Sequence, residues 1–218
     1  MLLVTWNLFH GRSSPPAGRP LAAEFAAALA GWEWDVALLQ EVPHWWPAPL
    51  AAASGAEPHR RLTSRNWAPP LQRAVSSRNP DLLKSWDGGC IAILVRGGGA
   101  SDHHGRRLRL LPERRRVHGV RLADGTWVVN LHAHHKPQPR AQADCERAIA
   151  AAREWAAGAP LVFGGDVNLK RPAFDGLVHV AGNYVDHLFT DGRPAAGPGE
   201  VLDRGTLSDH APVAVTLS

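Results

Sequence analysis

At 218 residues the chain is long enough for one substantial domain and short for two, so residues 1–218 read as a single unit. Its hydrophobic content of 44% is that of an ordinary water-soluble chain, and no apolar run reaches transmembrane length. The net charge of +4, from 24 basic and 20 acidic residues, permits a polyanionic partner without demanding one. Two cysteines, Cys90 and Cys145, argue against a disulfide framework and for buried thiols in a reducing cytoplasm. The start, Met1-Leu2-Leu3-Val4-Thr5-Trp6-Asn7, reads as a core strand rather than a secretion signal, so a cytoplasmic location is expected.

Leu2 to Trp6 is strand-like and ends at Asn7; the Gly, Ser and Pro content of the following stretch, through Pro16, marks a loop. Leu21 to Ala30 is alanine-rich with helical spacing, and Gly31 is expected as its C-cap. The apolar run Asp35-Val36-Ala37-Leu38-Leu39 is a buried strand that delivers Gln40 and Glu41. Ala48 to Ala53 suits a short helix, and Ser54 to Ser85 reads as a surface wrap. Trp67 lies in that wrap and Trp86 directly after it, as pins to the core or alternatively as a stacking platform for a base or sugar.

A Gly88-Gly89 turn leads into a strand from Cys90 to Val95. Arg107 to Leu111 and Val117 to Leu122 show partial period-two character. Asp124-Gly125 is a hairpin signal, followed by a core strand from Thr126 to His132. Arg140 to Ala157 is a helix stopped by Gly158. A buried strand from Pro160 to Gly165 ends in Asp166-Val167-Asn168. Val185 to Thr190 is a short strand carrying Asp186. A Gly/Pro-rich loop from Gly192 to Gly199 precedes Val201 to Leu207. The last strand is expected to open with Ser208-Asp209-His210-Ala211-Pro212-Val213. Many strands, two clear helices and several hairpin signals predict a layered α/β domain.

Taken singly, each polar strand end has an ordinary explanation. Glu41 alone is a surface acid, and Gly164 to Asn168 alone is a turn built of turn formers. Together, Asn7, Glu41, His132, Asp166, Asn168, Asp186, Asp209 and His210 all follow or interrupt apolar runs, so they can share one cleft.

Thr5-Trp6-Asn7, Leu39-Gln40-Glu41-Val42, Asn130-Leu131-His132, Gly165-Asp166-Val167-Asn168, Val185-Asp186-His187-Leu188-Phe189 and Ser208-Asp209-His210-Ala211-Pro212 resemble, in the same order, the motifs of the endonuclease/exonuclease/phosphatase (DNase I-like) superfamily. The resemblance spans nearly the whole chain. It implies a four-layer α/β/β/α sandwich, with two mainly antiparallel central sheets face to face and helices outside. It also implies a divalent-metal phosphoesterase. The residue types suit that chemistry, which needs charge neutralisation, an activated water and help for the leaving oxygen.

By this resemblance Glu41 holds Mg²⁺ with support from Asn7 and Asp209; Mn²⁺ is the alternative metal. Asp166 is the general base, and Asn168 donates to the phosphate or holds the nucleophile. His210 bonds the scissile phosphate, with Asp186 fixing its tautomer and keeping it cationic. His132 is a second phosphate-side histidine. The run His132-Ala133-His134-His135 also looks like a transition-metal cluster, but neither cysteine nor helical spacing supports zinc. His134, His135, His103 and His104 read as exposed loop histidines, and the Arg106 to Arg116 cluster as surface. His10, Arg12, Lys136 and Lys170, with Arg140 and Arg171, flank the motif loops as candidate substrate contacts or as a solvated face.

The expected activity is a phosphodiesterase or nuclease acting on nucleic acid, in a monomer. Alternatives are a hydrolase of small phosphodiesters, phospholipid head groups or sugar and inositol phosphates, and a non-catalytic binding domain on the same fold. Abasic-site enzymes of the superfamily carry a mid-chain tyrosine at the phosphate; the one tyrosine here, Tyr184, lies beside Asp186 instead.

Overall fold

The computed structural model describes residues 1–63, 66, 68–83, 89–111 and 113–218. Strand β1 (Leu2–Asn7) is followed by helix α1 (Ala22–Gly31), β2 (Val36–Val42), α2 (Pro47–Ser54), β3 (Ala56–Leu62), α3 (Pro69–Ser76) and β4 (Cys90–Arg96). Next come β5 (Ala100–Arg109), β6 (Arg115–Leu122), β7 (Trp127–His132), α4 (Gln138–Ala156) and β8 (Leu161–Asp166). The chain ends with β9 (Val178–Asn183), β10 (Asp186–Thr190), β11 (Glu200–Val201) and β12 (Val213–Thr216). They form two six-stranded sheets, ordered β11-β12-β1-β2-β4-β3 and β5-β6-β7-β8-β10-β9.

Each sheet has one parallel pair at its centre, β1 with β2 and β7 with β8; every other pairing is antiparallel. A parallel pair needs a crossover, and α1 and α4 supply it. Between the sheets lies a core of Leu3, Val36, Leu38, Val128, Val162 and Leu188. On the outer face of the first sheet, Phe25 and Leu29 of α1 and Leu50 of α2 pack on Val4, Trp6 and Leu39. Cys145, Ala148 and Ala152 of α4 cover Val129, Leu131 and Phe163 of the second sheet. The layers are therefore α/β/β/α. This explains the unbroken apolar runs: β2 buries Val36 and Leu38 inward and Ala37 and Leu39 outward, so both faces must be apolar.

The expected elements depart from the structure mainly at the edges. The supposed surface wrap from Ser54 contains edge strand β3, paired along its length with β4, and helix α3. An edge strand tolerates Pro58 and carries little apolar pattern, which concealed it. Strand β5 runs for ten residues with only Leu108 buried, and β9, also an edge, was not expected. Gly31 is the last residue of α1 rather than its cap, and among the described residues the one unexpected α-helix is α3, since α2 matches the short helix read at Ala48 to Ala53. The last strand begins at Val213, and residues 208–212 form a loop. Trp67 and Trp86 lie outside the described residues. Both cysteines are free and buried, and burial pushes the Cys90 thiol up to about 12. Among the described residues no helix is long and apolar enough to cross a membrane.

Polar side chains bind the two sheets to each other near one end. Asn130 of β7 donates to the carbonyls of Leu39 (2.9 Å) and Ala92 (2.8 Å) in the opposite sheet. Its own oxygen accepts from Gln40 Nε2 at 2.8 Å, and Gln40 also reaches Thr5 Oγ1. Room for this clip comes from Gly165, at φ +123°: a Cβ there would lie 2.1 Å from the Leu131 carbonyl and 2.8 Å from Asn130 Oδ1. Asn130→Ala removes three buried hydrogen bonds and is expected to cost about 2–4 kcal/mol in urea denaturation.

His118 is fully buried and neither ring nitrogen has a partner among the described residues. Burial, with Arg61, His59 and His103 nearby, holds its imidazole well below the usual range. Unfolding restores an ordinary imidazole near pH 6.5, so below that pH the unfolded chain takes up a proton that the folded chain refuses. This contribution is fully present above about pH 6.5 and is lost as pH falls. His44, His59, His179 and His187 are lowered by burial too and add the same sign. The urea midpoint is expected to drop between about pH 7 and about pH 5, and to drop less in His118→Leu.

Candidate active site

Parallel strands end on the same side, so each central pair delivers its C-terminal residues together: Asn7 beside Gln40, and His132 beside Asp166. Strand β10 runs back against β8 and sets Asp186 opposite Asp166. With the sheets stacked, these ends meet at one mouth. Glu41 would point away from Gln40 in a regular strand. Instead the β2–β4 register shifts between Leu39 and Val42, and Glu41 takes φ +49°. Such a bulge re-aims a side chain. The Glu41 carboxylate thereby lies 3.1 Å from His10 Nε2 and 3.8 Å from His132 Nε2.

The loop before β12 is tied to β1. Ser208 Oγ donates to the Asn7 carbonyl at 2.6 Å and accepts from the His210 N–H at 3.0 Å. Trp6 Nε1 donates to the His210 carbonyl. Ser208 is fully buried at φ +63°. The bend lets Asp209 and His210, neighbours in sequence, both serve the cleft. Asp209 stands at the lip with a 44% exposed side chain. His210 Nδ1 meets Asp186 Oδ2 at 2.7 Å.

Asp166 is held from both sides. Asn7 Nδ2 donates to its Oδ2 at 3.0 Å, and the Asn168 N–H donates to its Oδ1 at 3.1 Å. His132 Nε2 lies 3.5 Å from Asp166 Oδ2. Asn168, at φ +55°, donates to the Ala133 carbonyl and presents Oδ1 to His135 Nδ1 at 3.1 Å.

Burial, reinforced by Asp186 and opposed by His210 and Asn7, raises the Asp166 carboxyl to about 7. Asp186 is raised as well, chiefly by burial. Burial alone would lower His210. Its hydrogen bond to Asp186, with the charges of Asp186, Asp166 and Asp209, outweighs that and lifts it to about 9. His132 goes the other way, held well below the usual range by burial and by the positive groups Arg115, His210, His10 and His135. Two histidines within 4.8 Å of the Asp166 carboxylate thus differ in charge near neutral pH.

The cleft has two lobes. The first, of about 350 Å³, is lined by Asn7, Glu41, His132 and Asp166, with His10, Arg12 and Arg115 around it. The second, of about 330 Å³, is lined by Asp186, Lys136, Lys170 and Tyr184. They meet at His135, Asn168, Asp209 and His210. All eight polar strand-end residues therefore share one cleft, and the four flanking candidates line it as well. Arg140 and Arg171 are exposed and line neither lobe.

Two corrections concern positively charged or ring-bearing residues. Arg115 was grouped with a surface cluster; it is buried, bonded to Glu113 at 2.6 Å, and faces the first lobe. As the first residue of β6 it sits at the end of the sheet where antiparallel β7 finishes, but a run of arginines hid it. His135 is an exposed loop residue, as expected, and also lines both lobes. His134 is buried, its N–H bonded to Asp144, and lines neither lobe, so His132, His134 and His135 do not form one ligand set.

The donors suit a hard divalent cation: carboxylates of Glu41 and Asp209 and the amide oxygen of Asn7 face a cleft whose buried acids repel one another. Asp186 Oδ1 is buried with no partner among the described residues. Asp166, Asp186 and His210 bring ligand atoms within 4.8 Å of one another.

Two face-to-face six-stranded sheets with helices outside and acids, amides and imidazoles at one mouth define a DNase I-like α/β sandwich. The chain belongs to the Endonuclease/Exonuclease/phosphatase family, whose model matches residues 4–210. The family is one of phosphoester hydrolases. Among curated proteins no sequence matches this chain. Among solved structures it resembles an endonuclease/exonuclease/phosphatase from Beutenbergia cavernae DSM 12333, with 18% identity and TM-score 0.76, over 100% of this chain and 71% of that one. TDP2 from Caenorhabditis elegans is similar at 18% identity and TM-score 0.72, over 100% and 74%. A mannosyl-6-phosphatase from Bacteroides thetaiotaomicron VPI-5482 is similar at 16% identity and TM-score 0.70, over 100% and 99%.

The Asp186 carboxylate is what keeps His210 cationic. In Asp186→Asn without added metal, NMR titration is expected to find the His210 pKa moved from about 9 toward 6.5.

Proposed function

We propose that the protein is a divalent-metal-dependent phosphodiesterase that cleaves nucleic acid by attack of water on phosphorus. The observation that carries this reading is the meeting of Asp166, Asn168, His132, His210 and Glu41 at one cleft, although they come from both sheets and a loop. Glu41, Asn7 and Asp209 would hold Mg²⁺, or Mn²⁺ in its place. When bound, the cation neutralises phosphate charge and polarises the P–O bonds.

The remaining work falls to the chain's own groups. Asp166 accepts the proton of the attacking water. Its two carboxylate oxygens are aimed by Asn7 and Asn168, and its raised pKa makes it a stronger base than a surface aspartate. His210, cationic and braced by Asp186, binds a non-bridging phosphate oxygen. His132, neutral in the free protein, hydrogen-bonds the phosphate without adding charge. Arg115, buried at the wall of the first lobe, is placed to anchor the phosphate as a guanidinium does, through a fork of donors. The new P–O bond forms as the bond to the leaving oxygen breaks, and that oxygen takes a proton from solvent water in the open cleft and departs as an alcohol, while Asp166 returns the proton it accepted to solvent. Support for a nucleic-acid substrate comes from the open two-lobed cleft bordered by Arg12, Arg115, Lys136 and Lys170.

With Mg²⁺ present, bis-p-nitrophenyl phosphate and single-stranded DNA are expected to turn over, and EDTA to abolish turnover. Asp166→Asn and Glu41→Gln are expected to lower kcat by about 10²–10⁴. No metal-dependent turnover by the parent, or equal activity in all three proteins, would sink the reading. Asp166 works only deprotonated and His210 only protonated. So kcat/KM should rise through an acid limb at or below about 7, lower still with a cation beside Asp166, and fall through an alkaline limb near 9.

A further inference from the structure

The second lobe opens from the first at Asn168 and His210, and its far wall, with Tyr184, has no role in the chemistry just described. One wall is the hairpin between β9 and β10. Asn183 pairs with Asp186, which leaves a two-residue turn of Tyr184 and Val185. Tyr184 takes φ +57°. Glycine, asparagine or aspartate suits a positive φ in so short a hairpin, and the Cβ of a tyrosine does not. Packing offers no compensation, because Tyr184 is 66% exposed. Lys170 Nζ lies 4.8 Å from its ring centroid, and Lys136 lines the same lobe. A local rule is broken, without a gain in burial, to stand one flat ring and two cations beside the groups that handle the scissile phosphate.

We propose that this lobe is a nucleotide subsite. Tyr184 stacks on the base attached to one side of the scissile phosphate, and Lys170 and Lys136 take the next phosphate along. The proposal rests on the hydrolytic reading of the first lobe and narrows its substrate to a base-bearing diester, as opposed to the terminal phosphate of a sugar.

The test compares hydrolysis of dithymidylate phosphorylated at both ends with that of the same diester lacking both bases, with Mg²⁺, by chromatography. The parent should prefer the base-bearing dimer by about ten-fold in kcat/KM, the discrimination one stacked base can supply. Tyr184→Gly should bring the ratio to about one, and Tyr184→Phe should keep it. Glycine suits the turn, so the thermal midpoint of Tyr184→Gly should equal or exceed the parent's, which separates lost stacking from lost folding. Lys170→Ala should lower kcat/KM for both dimers. A parent ratio near one, or an unchanged ratio in Tyr184→Gly, overturns the subsite while leaving the hydrolase reading intact. Should the parent cleave neither dimer, the hydrolase reading fails. The subsite is then judged by NMR titration with thymidine 3′,5′-bisphosphate. Amide shifts at residues 182–186 that vanish in Tyr184→Gly support it, and their absence in the parent overturns it.

Discussion

The candidate active site depends on keeping two sheets in register with each other. Asn7 and Glu41 come from the first sheet, and His132, Asp166 and Asp186 from the second. Apolar packing between sheets is not directional and tolerates sliding. Hydrogen bonds do not. Asn130 reaches across to the carbonyls of Leu39 and Ala92, one residue from Gln40 and two from Glu41. Gln40 returns the contact, and Gly165, next to Asp166, makes the space. The clip therefore sits directly behind the polar strand ends and fixes where the two halves of the cleft meet.

Within the cleft, burial separates the titratable groups by charge. The same low-dielectric setting raises Asp166 and Asp186 and lowers His132, whereas a hydrogen-bonded carboxylate reverses the outcome for His210. One cleft thus presents a carboxyl poised near neutrality, a cationic imidazole and a neutral imidazole. Three positive-φ residues, Glu41, Asn168 and Ser208, turn the chain at the points where side chains must leave the strand pattern. Such local distortion is sustained because the surrounding ladder and the ties from Ser208 to Asn7 and His210 hold it.

The outer parts of the molecule follow a looser logic. Edge strands β3, β5 and β9 bury little, and their sequences carry Pro58, His103, His104 and a run of arginines in place of an apolar pattern. That polarity limits edge-to-edge pairing with other chains. Arg115 of inner strand β6 and Tyr184 of the turn between β9 and β10, by contrast, line the cleft itself.

Read alone, the sequence determined the central strands β1, β2, β7 and β8, because strands buried on both faces must be continuously apolar. It also determined the polar residues that end them, because Asn7, Glu41, His132 and Asp166 interrupt those runs. Edge strands escaped it, since they need neither face buried. Only the tertiary structure decided which of many histidines and arginines reach the cleft. Arg115 is one of three consecutive arginines, and His134 and His135 are adjacent, yet one of each faces the site and its neighbours do not. Composition cannot separate such neighbours. Strand direction, a shifted register and a backbone turned to positive φ decide which way each side chain points, and these arise only when the two sheets close on each other.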